Sequence, residues 1–306
     1  QTVWLISMQI IAQIGFAIYF VHGAPFIMQV APIHEHNHIF AATIAIWPLT
    51  GFIGSLVGGV LPGFFAGIMG LSLDEPAPYQ YSLMVAAVIM ILGLMAMLRT
   101  RGGKVNPLAG FRSPGMNHVP VAVLVAIFSA VLLRVIGEGV LRTFLNIYLD
   151  DGLQMTVVNI GLLLGVGQLL AVPAAMAFPF FTNRWSPTGI YLACTLGMAI
   201  SLIPMAFVPH WAIAGMSYAT VIALVSLARP AIVAVQLNAV RPSWHTVMTG
   251  TTTTAVGLGW ALASLTGGFL VTNFGYPSLF VTSAALTGGG ALVFWLYFGM
   301  HSTSEN

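Results

Sequence analysis

Charge is what this chain has least of. Asp, Glu, Lys and Arg together make up 5% of its 306 residues, against 58% hydrophobic residues. Soluble domains carry about 25% charge, so this chain has too little polar surface to face water on all sides. Its composition excludes an ordinary soluble domain and points to lipid as the solvent. Cysteine is almost missing too: Cys194 stands alone, which excludes an internal disulfide and leaves the redox compartment unread. There is no phosphate-binding glycine loop, no nucleophile elbow and no His-Glu-x-x-His, and no polar stretch long enough for a nucleotide-binding domain. Neither an enzyme nor a cofactor is expected. The formal net charge of +2 reflects a few loop residues and gives no basis for a nucleic-acid partner.

What the chain does have is apolar length. Nine stretches can cross a bilayer, which takes about 20 helical residues. They run over 3–21, 39–68, 80–98, 119–147, 156–182, 187–207, 211–235, 246–272 and 277–299. The runs are continuous, without the period-two alternation of barrel strands, so helices are expected. The fold class is an all-α membrane protein, a polytopic bundle of nine transmembrane helices.

The few charges are sorted between alternate gaps. Arg99, Arg101, Lys104 and Arg112 follow span three, Arg184 follows span five and Arg241 follows span seven. Asp74, Glu75, Asp150 and Asp151 occupy the intervening gaps, which have no Lys or Arg. Basic loops stay cytoplasmic, so the C-terminus is expected inside and the N-terminus outside. The chain starts at Gln1 and enters span one at once, with no signal peptide in view. That parity leads to the expectation that the sequence is a fragment with upstream residues missing.

An internal echo points the same way. Gly54-Ser55-Leu56-Val57-Gly58-Gly59-Val60-Leu61 lines up with Ala263-Ser264-Leu265-Thr266-Gly267-Gly268-Phe269-Leu270. Each match follows a span with a proline near its cytoplasmic end, Pro25 or Pro230, and a proline-bearing loop, Pro32 or Pro242. Small residues at this spacing let helices approach closely, and paired units of this kind occur in secondary transporters. Pairing span one with seven, and two and three with eight and nine, leaves spans four to six wanting three partners upstream.

Several stretches resemble the major facilitator superfamily, a family of two six-helix halves. They are Ala24-Pro25-Phe26 with Pro32, the run Gly51, Gly54, Gly58 and Gly59, the segment Phe181-Thr182-Asn183-Arg184-Trp185, and Arg229-Pro230, Arg241-Pro242 and Gly275-Tyr276. Ser55 stands where the family's antiporter motif has proline. The resemblance implies helices four to twelve of the family. Residues 1–98 would be a remnant of the N-terminal half-bundle, 99–118 the cytoplasmic loop between halves, and 119–306 the C-terminal six-helix bundle. It implies a multi-pass transporter of a bacterial cytoplasmic membrane that moves a small solute by alternating access, driven by a gradient, with a proton as one candidate coupling ion.

Candidate pathway residues follow from the cost of polar groups in lipid. Ionisable side chains within spans usually face a cavity or each other. Arg134, Glu138 and Arg142 are four apart and share one face of span four. Counted from residue 120, Glu138 lies about 27 Å along the helix, in the outer third of the bilayer. An arginine there would bind an anionic group on a substrate, and Glu138 would accept a proton if its pairing broke in one conformation. The alternative is a structural ladder. Glu138→Gln is expected to reduce transport while folded protein remains in the membrane. Gly137 and Gly139 flank the carboxylate and either let span four bend or let a neighbour pack closely.

Gln9 and Gln13 form a second polar row in span one, and Gln168 sits midway along span five. Gln13 and Gln168 are candidates to line the pathway, with an interhelical hydrogen bond as the alternative for each. Arg229, near the cytoplasmic end of span seven, is expected to snorkel to the interface. His34-Glu35-His36-Asn37-His38 has imidazoles suited to zinc or copper, yet no metal is expected: the three share a side only in an extended segment. Trp47, Trp185, Trp211 and Trp244 lie near expected interfaces, and the 15 methionines suit either packing or an adaptable apolar surface. Two other classes stay open. One is a membrane scaffold that keeps the fold without transport. The other is a membrane enzyme, which would need an acid–base pair or metal ligands at one depth.

Overall fold

A computed structural model describes residues 4, 7, 8, 11, 12, 15, 36–99, 121–182, 184–241 and 244–299. Helix is the only regular structure among them. In lipid the backbone must satisfy its own hydrogen bonds, and a helix does this within one segment. The helices are α1 (His36–Met69), α2 (Pro76–Leu98), α3 (Val121–Ile147), α4 (Val157–Met176), the short α5 (Phe178–Thr182), α6 (Pro187–Phe207), α7 (Trp211–Asn238) and α8 (His245–Phe294). Two compact units are present: residues 1–47 with 83–111, and residues 48–82 with 112–306.

Seven helices among the described residues are long and apolar enough to cross a membrane, not the nine expected. Predicted span one lies mostly outside the described residues, as do His34 and Glu35 of the histidine run. Predicted spans eight and nine meet within α8, where two helices join end to end at a kink. The break is at Gly275, whose φ of 76° and ψ of 178° are non-helical. That conformation is essentially confined to glycine. Pro277 follows in the first turn beyond the break, where its missing N–H costs nothing, and Ser278 Oγ donates to Gly275 O at 2.8 Å. The expected loop is thus reduced to one residue of reversed backbone. Predicted span five divides as well, into α4 and α5 on either side of Ala177.

Local signals set other ends. Ser186 caps α6 by accepting from Gly189 N at 3.2 Å, with Pro187 next in the first turn. His210 caps α7, its Nδ1 accepting from Ala212 N at 3.2 Å. Between these caps α6 spans about 32 Å, close to a hydrocarbon core. Trp185, just before Ser186, and Trp211, just after His210, are exposed, as interfacial tryptophans are.

Within the second unit α3 packs most extensively on α8, α6 packs on α7 and α8, and α4 packs on α7. Ile127, Leu141 and Leu145 of α3, Met198 and Leu202 of α6, Ile222 of α7 and Phe280 and Phe294 of α8 make the core. The Tyr191 and Phe294 rings pack at a tilt of 57° with centroids 4.5 Å apart. The outward face of this unit is apolar too, with Phe207 and Leu265 71% and 72% exposed; in the first unit Leu83, Met90 and Leu98 are between 70% and 76% exposed. Such a surface would associate in water; it suits contact with acyl chains.

Candidate functional site

The site begins as a local fact of α3. Residues four apart lie one turn above another, so Arg134, Glu138 and Arg142 stack on one face. Arg134 Nη1 donates to Glu138 Oε2 at 3.0 Å, and Arg142 Nε donates to Glu138 Oε1 at 3.0 Å. Arg134 and Glu138 are buried, at 5% and 4% exposure. The structure therefore gathers all three predicted residues of span four into one ion-paired row.

A fourth member comes from another helix. Arg229 of α7 brings Nη2 to 3.7 Å from Glu138 Oε1. This corrects the expectation that Arg229 snorkels to the interface. Helix α7 continues to Asn238 rather than ending near 235, so Arg229 lies nine residues, about 14 Å, inside the helix end. In a low-dielectric setting a cation that far in gains most from the nearest anion. Three guanidinium groups now surround one carboxylate. Next to Arg134 lie the Tyr191 hydroxyl and Cys194 of α6. Both the Tyr191 hydroxyl and Arg134 Nε are buried without a hydrogen-bond partner among the described residues.

Gln168 belongs to the same neighbourhood. Its Nε2 donates to the Tyr218 hydroxyl of α7 at 3.0 Å, and Tyr218 lies in the field of Arg142. A methyl group at Gly51 of α1 would stand 3.3 Å from the Gln168 side chain, so the amide is held between α1 and α7. Tyr218→Phe removes the acceptor and is expected to lower stability by about 0.6 kcal/mol, read by thermal unfolding in micelles. A loss well above about 2 kcal/mol would mean that the hydroxyl holds more than Gln168. Gln13 lies outside the described residues.

The candidate glycines divide by neighbour. At Gly137 a methyl would meet Thr287 and stand 3.0 Å from Ser283 O. At Gly139 it would be 2.8 Å from Ala263 Cβ, at Gly267 it would meet the Phe144 ring, and at Gly59 it would be 3.1 Å from Gly161 Cα. Gly54, Gly58 and Gly268 have nothing within 4 Å, so no packing contact stands beside them among the described residues. Helix α3 runs unbroken through Gly137 and Gly139. The two echoed segments also dock through different positions. The first uses Gly59, which aligns with Gly268; the second uses Gly267, which aligns with Gly58.

Sequence inspection missed Arg229 as a partner, Tyr218, and a further polar link in which Thr252 Oγ1 donates to Gln236 Oε1 at 2.7 Å. Gln236 was hidden by the early end given to span seven. The threonines from 249 to 254 bond back to carbonyls four residues earlier, which lets polar side chains sit in an apolar helix. Among the described residues no cluster of three His, Cys, Asp or Glu could hold a metal ion.

Apolar helices long enough to cross a membrane define a multi-pass membrane protein. Residues 127–306 match the model of the Major Facilitator Superfamily. More than half of the chain is covered, and the chain belongs to that family, whose members carry solutes across membranes. No curated protein matches the chain.

Proposed function

We propose that this chain acts as a secondary transporter of a small solute, working by alternating access, with the cluster of Arg134, Glu138, Arg142 and Arg229 beside its pathway. The observation that carries this is the position of the cluster. Four ionisable side chains from α3 and α7 meet inside apolar helices, where such groups are expensive and functional by default. Arg142 and Arg229 retain side-chain exposures of 25% and 58%, so part of the cluster opens away from the core. Gln168, with Tyr218, and Gln13 complete the proposed lining. In this reading the two half-bundles, 1–98 and 119–306, rock about a central site, and the Glu138 pairs tie α3 to α7 within the second half.

The topology proposed with it has a cytoplasmic C-terminus in a bacterial cytoplasmic membrane. Helix α8 holds 50 residues on the two sides of its kink, more than twice the about 20 that one crossing takes. It would cross twice, turning at Gly275. Cysteine labelling at residues 74 and 104 tests the orientation: reactivity from opposite sides is expected, and reactivity from the same side would exclude it.

Transport itself is tested by reconstitution into liposomes and counterflow of a panel of labelled solutes. Uptake of at least one solute that Arg142→Gln reduces at least tenfold is the expected result. Equal flux through Arg142→Gln and the unaltered chain would remove the cluster from the pathway.

A further inference from the structure

We infer that the solute is an oxyanion, a carboxylate or a phosphate, held by the guanidinium groups of Arg142 and Arg229 while Glu138 serves as an internal stand-in for it. The inference deepens the transport reading above and rests on it. Its first ground is the charge count. Three guanidinium groups face one carboxylate, so two positive charges stay uncompensated among the described residues inside helices that cross lipid. A structural ladder would be near neutral, because an unbalanced charge in low dielectric is what such ladders avoid. An excess of two cations suits a site that is completed by an arriving anion.

The second ground is how the donors are used. Glu138 Oε2 is taken by Arg134 and Oε1 by Arg142 at 3.0 Å each. Arg229 stands 3.7 Å from Oε1, beyond hydrogen-bonding distance. Each guanidinium has five N–H donors in a planar fork that matches two oxygens of a carboxylate or phosphate. Arg229 spends none of them on a hydrogen bond among the described residues, Arg142 spends only Nε, and Arg134 Nε is buried without a partner.

The third ground is access. Arg134 and Glu138 are closed off, with side-chain exposures of 6% and 3%, whereas Arg142 and Arg229 are the open pair. Close to Arg142, the Tyr218 hydroxyl accepts from Gln168, which leaves its own proton to donate. The two open side chains, Arg142 and Arg229, carry only donors, and a cationic solute would meet repulsion from two charges.

The test uses the whole chain in nanodiscs of zwitterionic lipid, read by thermal shift and calorimetric titration. The probes are acetate, benzoate, succinate, inorganic phosphate and glycerol 3-phosphate. Matched controls are acetamide, benzamide, succinamide, glycerol and benzylamine. At least one anion is expected to bind and its matched control is not; which arm responds separates carboxylate from phosphate. Arg229→Gln, a substitution at the most open side chain, should weaken that binding at least tenfold. Glu138→Gln, which removes the internal anion, should show a larger anion-induced thermal shift than the unaltered chain. Binding of controls as tight as of anions, no anion binding to either the unaltered chain or Glu138→Gln, or undiminished binding by Arg229→Gln would each overturn the inference. Should Glu138→Gln fail to fold, Arg229→Gln decides alone. An anion that binds but shows no counterflow in liposomes sinks the transport reading and leaves the anion site. Counterflow of a neutral solute without anion binding does the reverse.

Discussion

Glu138→Gln is expected to destabilise the protein by about 3–5 kcal/mol, the usual loss when one partner of a buried ion pair is removed. The sign follows from which group is left behind. Arg134 is 5% exposed and relies on Glu138 Oε2 for its one charge-assisted hydrogen bond. A glutamine keeps the shape and one acceptor but withdraws the negative charge, and three guanidinium groups then face each other in low dielectric. The companion Glu138→Gln/Arg134→Gln is expected to recover part of the loss, because no buried cation is then stranded. Thermal unfolding in micelles, arranged as a double-mutant cycle, checks both. A single variant within about 1 kcal/mol of the unaltered protein would mean that water or lipid headgroups already neutralise Arg134. The sequence alone predicted reduced transport with folded protein retained; burial against three arginines adds a loss of stability to that outcome.

The second large effect is a contrast within Gly288-Gly289-Gly290. Gly290→Ala is expected to cost about 1–3 kcal/mol through overpacking. Its methyl would stand 2.8 Å from Ala130 O, 3.0 Å from Arg134 N and 3.2 Å from Leu133 Cβ. The two closest of these are backbone atoms of α3 and cannot rotate away, so the whole helix must shift, and with it the backbone that carries Arg134. At Gly288 the nearest neighbour is Ala199 Cβ at 3.9 Å, and at Gly289 it is Leu133 Cδ1 at 4.0 Å, both ordinary contacts. Alanine at either position should be neutral or raise stability by up to about 1 kcal/mol through helix propensity. Three single variants measured side by side decide it. Equal stabilities would mean that α3 and α8 are not in contact at Gly290.

Much of the fold was legible in advance because apolar length and loop charge are properties of short segments. Spans near 187–207 and 80–98 correspond closely to α6 and α2. The errors fell where a boundary depends on more than composition. Gly275 and Tyr276 read as a loop, yet the turn is made by one glycine with positive φ, at a kink where two helices meet directly. Helix α7 runs past the apolar stretch to Asn238, and Gln236 in that extension accepts from Thr252, a partner that composition cannot reveal.

The candidate site divides along the same line. The Arg134–Glu138–Arg142 row was readable because helical periodicity alone puts residues four apart on one face. By itself the sequence determined a lipid-embedded helical chain, the sorting of its charges between loops, and that row. Only the tertiary structure decided that Arg229, 91 positions beyond Glu138, completes the cluster, that Tyr218 holds Gln168, and which glycines touch a neighbour. The reason is that a helix's own geometry follows from adjacent residues, whereas its partner and contact face are chosen by the fit of whole helix surfaces, and no local pattern encodes that fit.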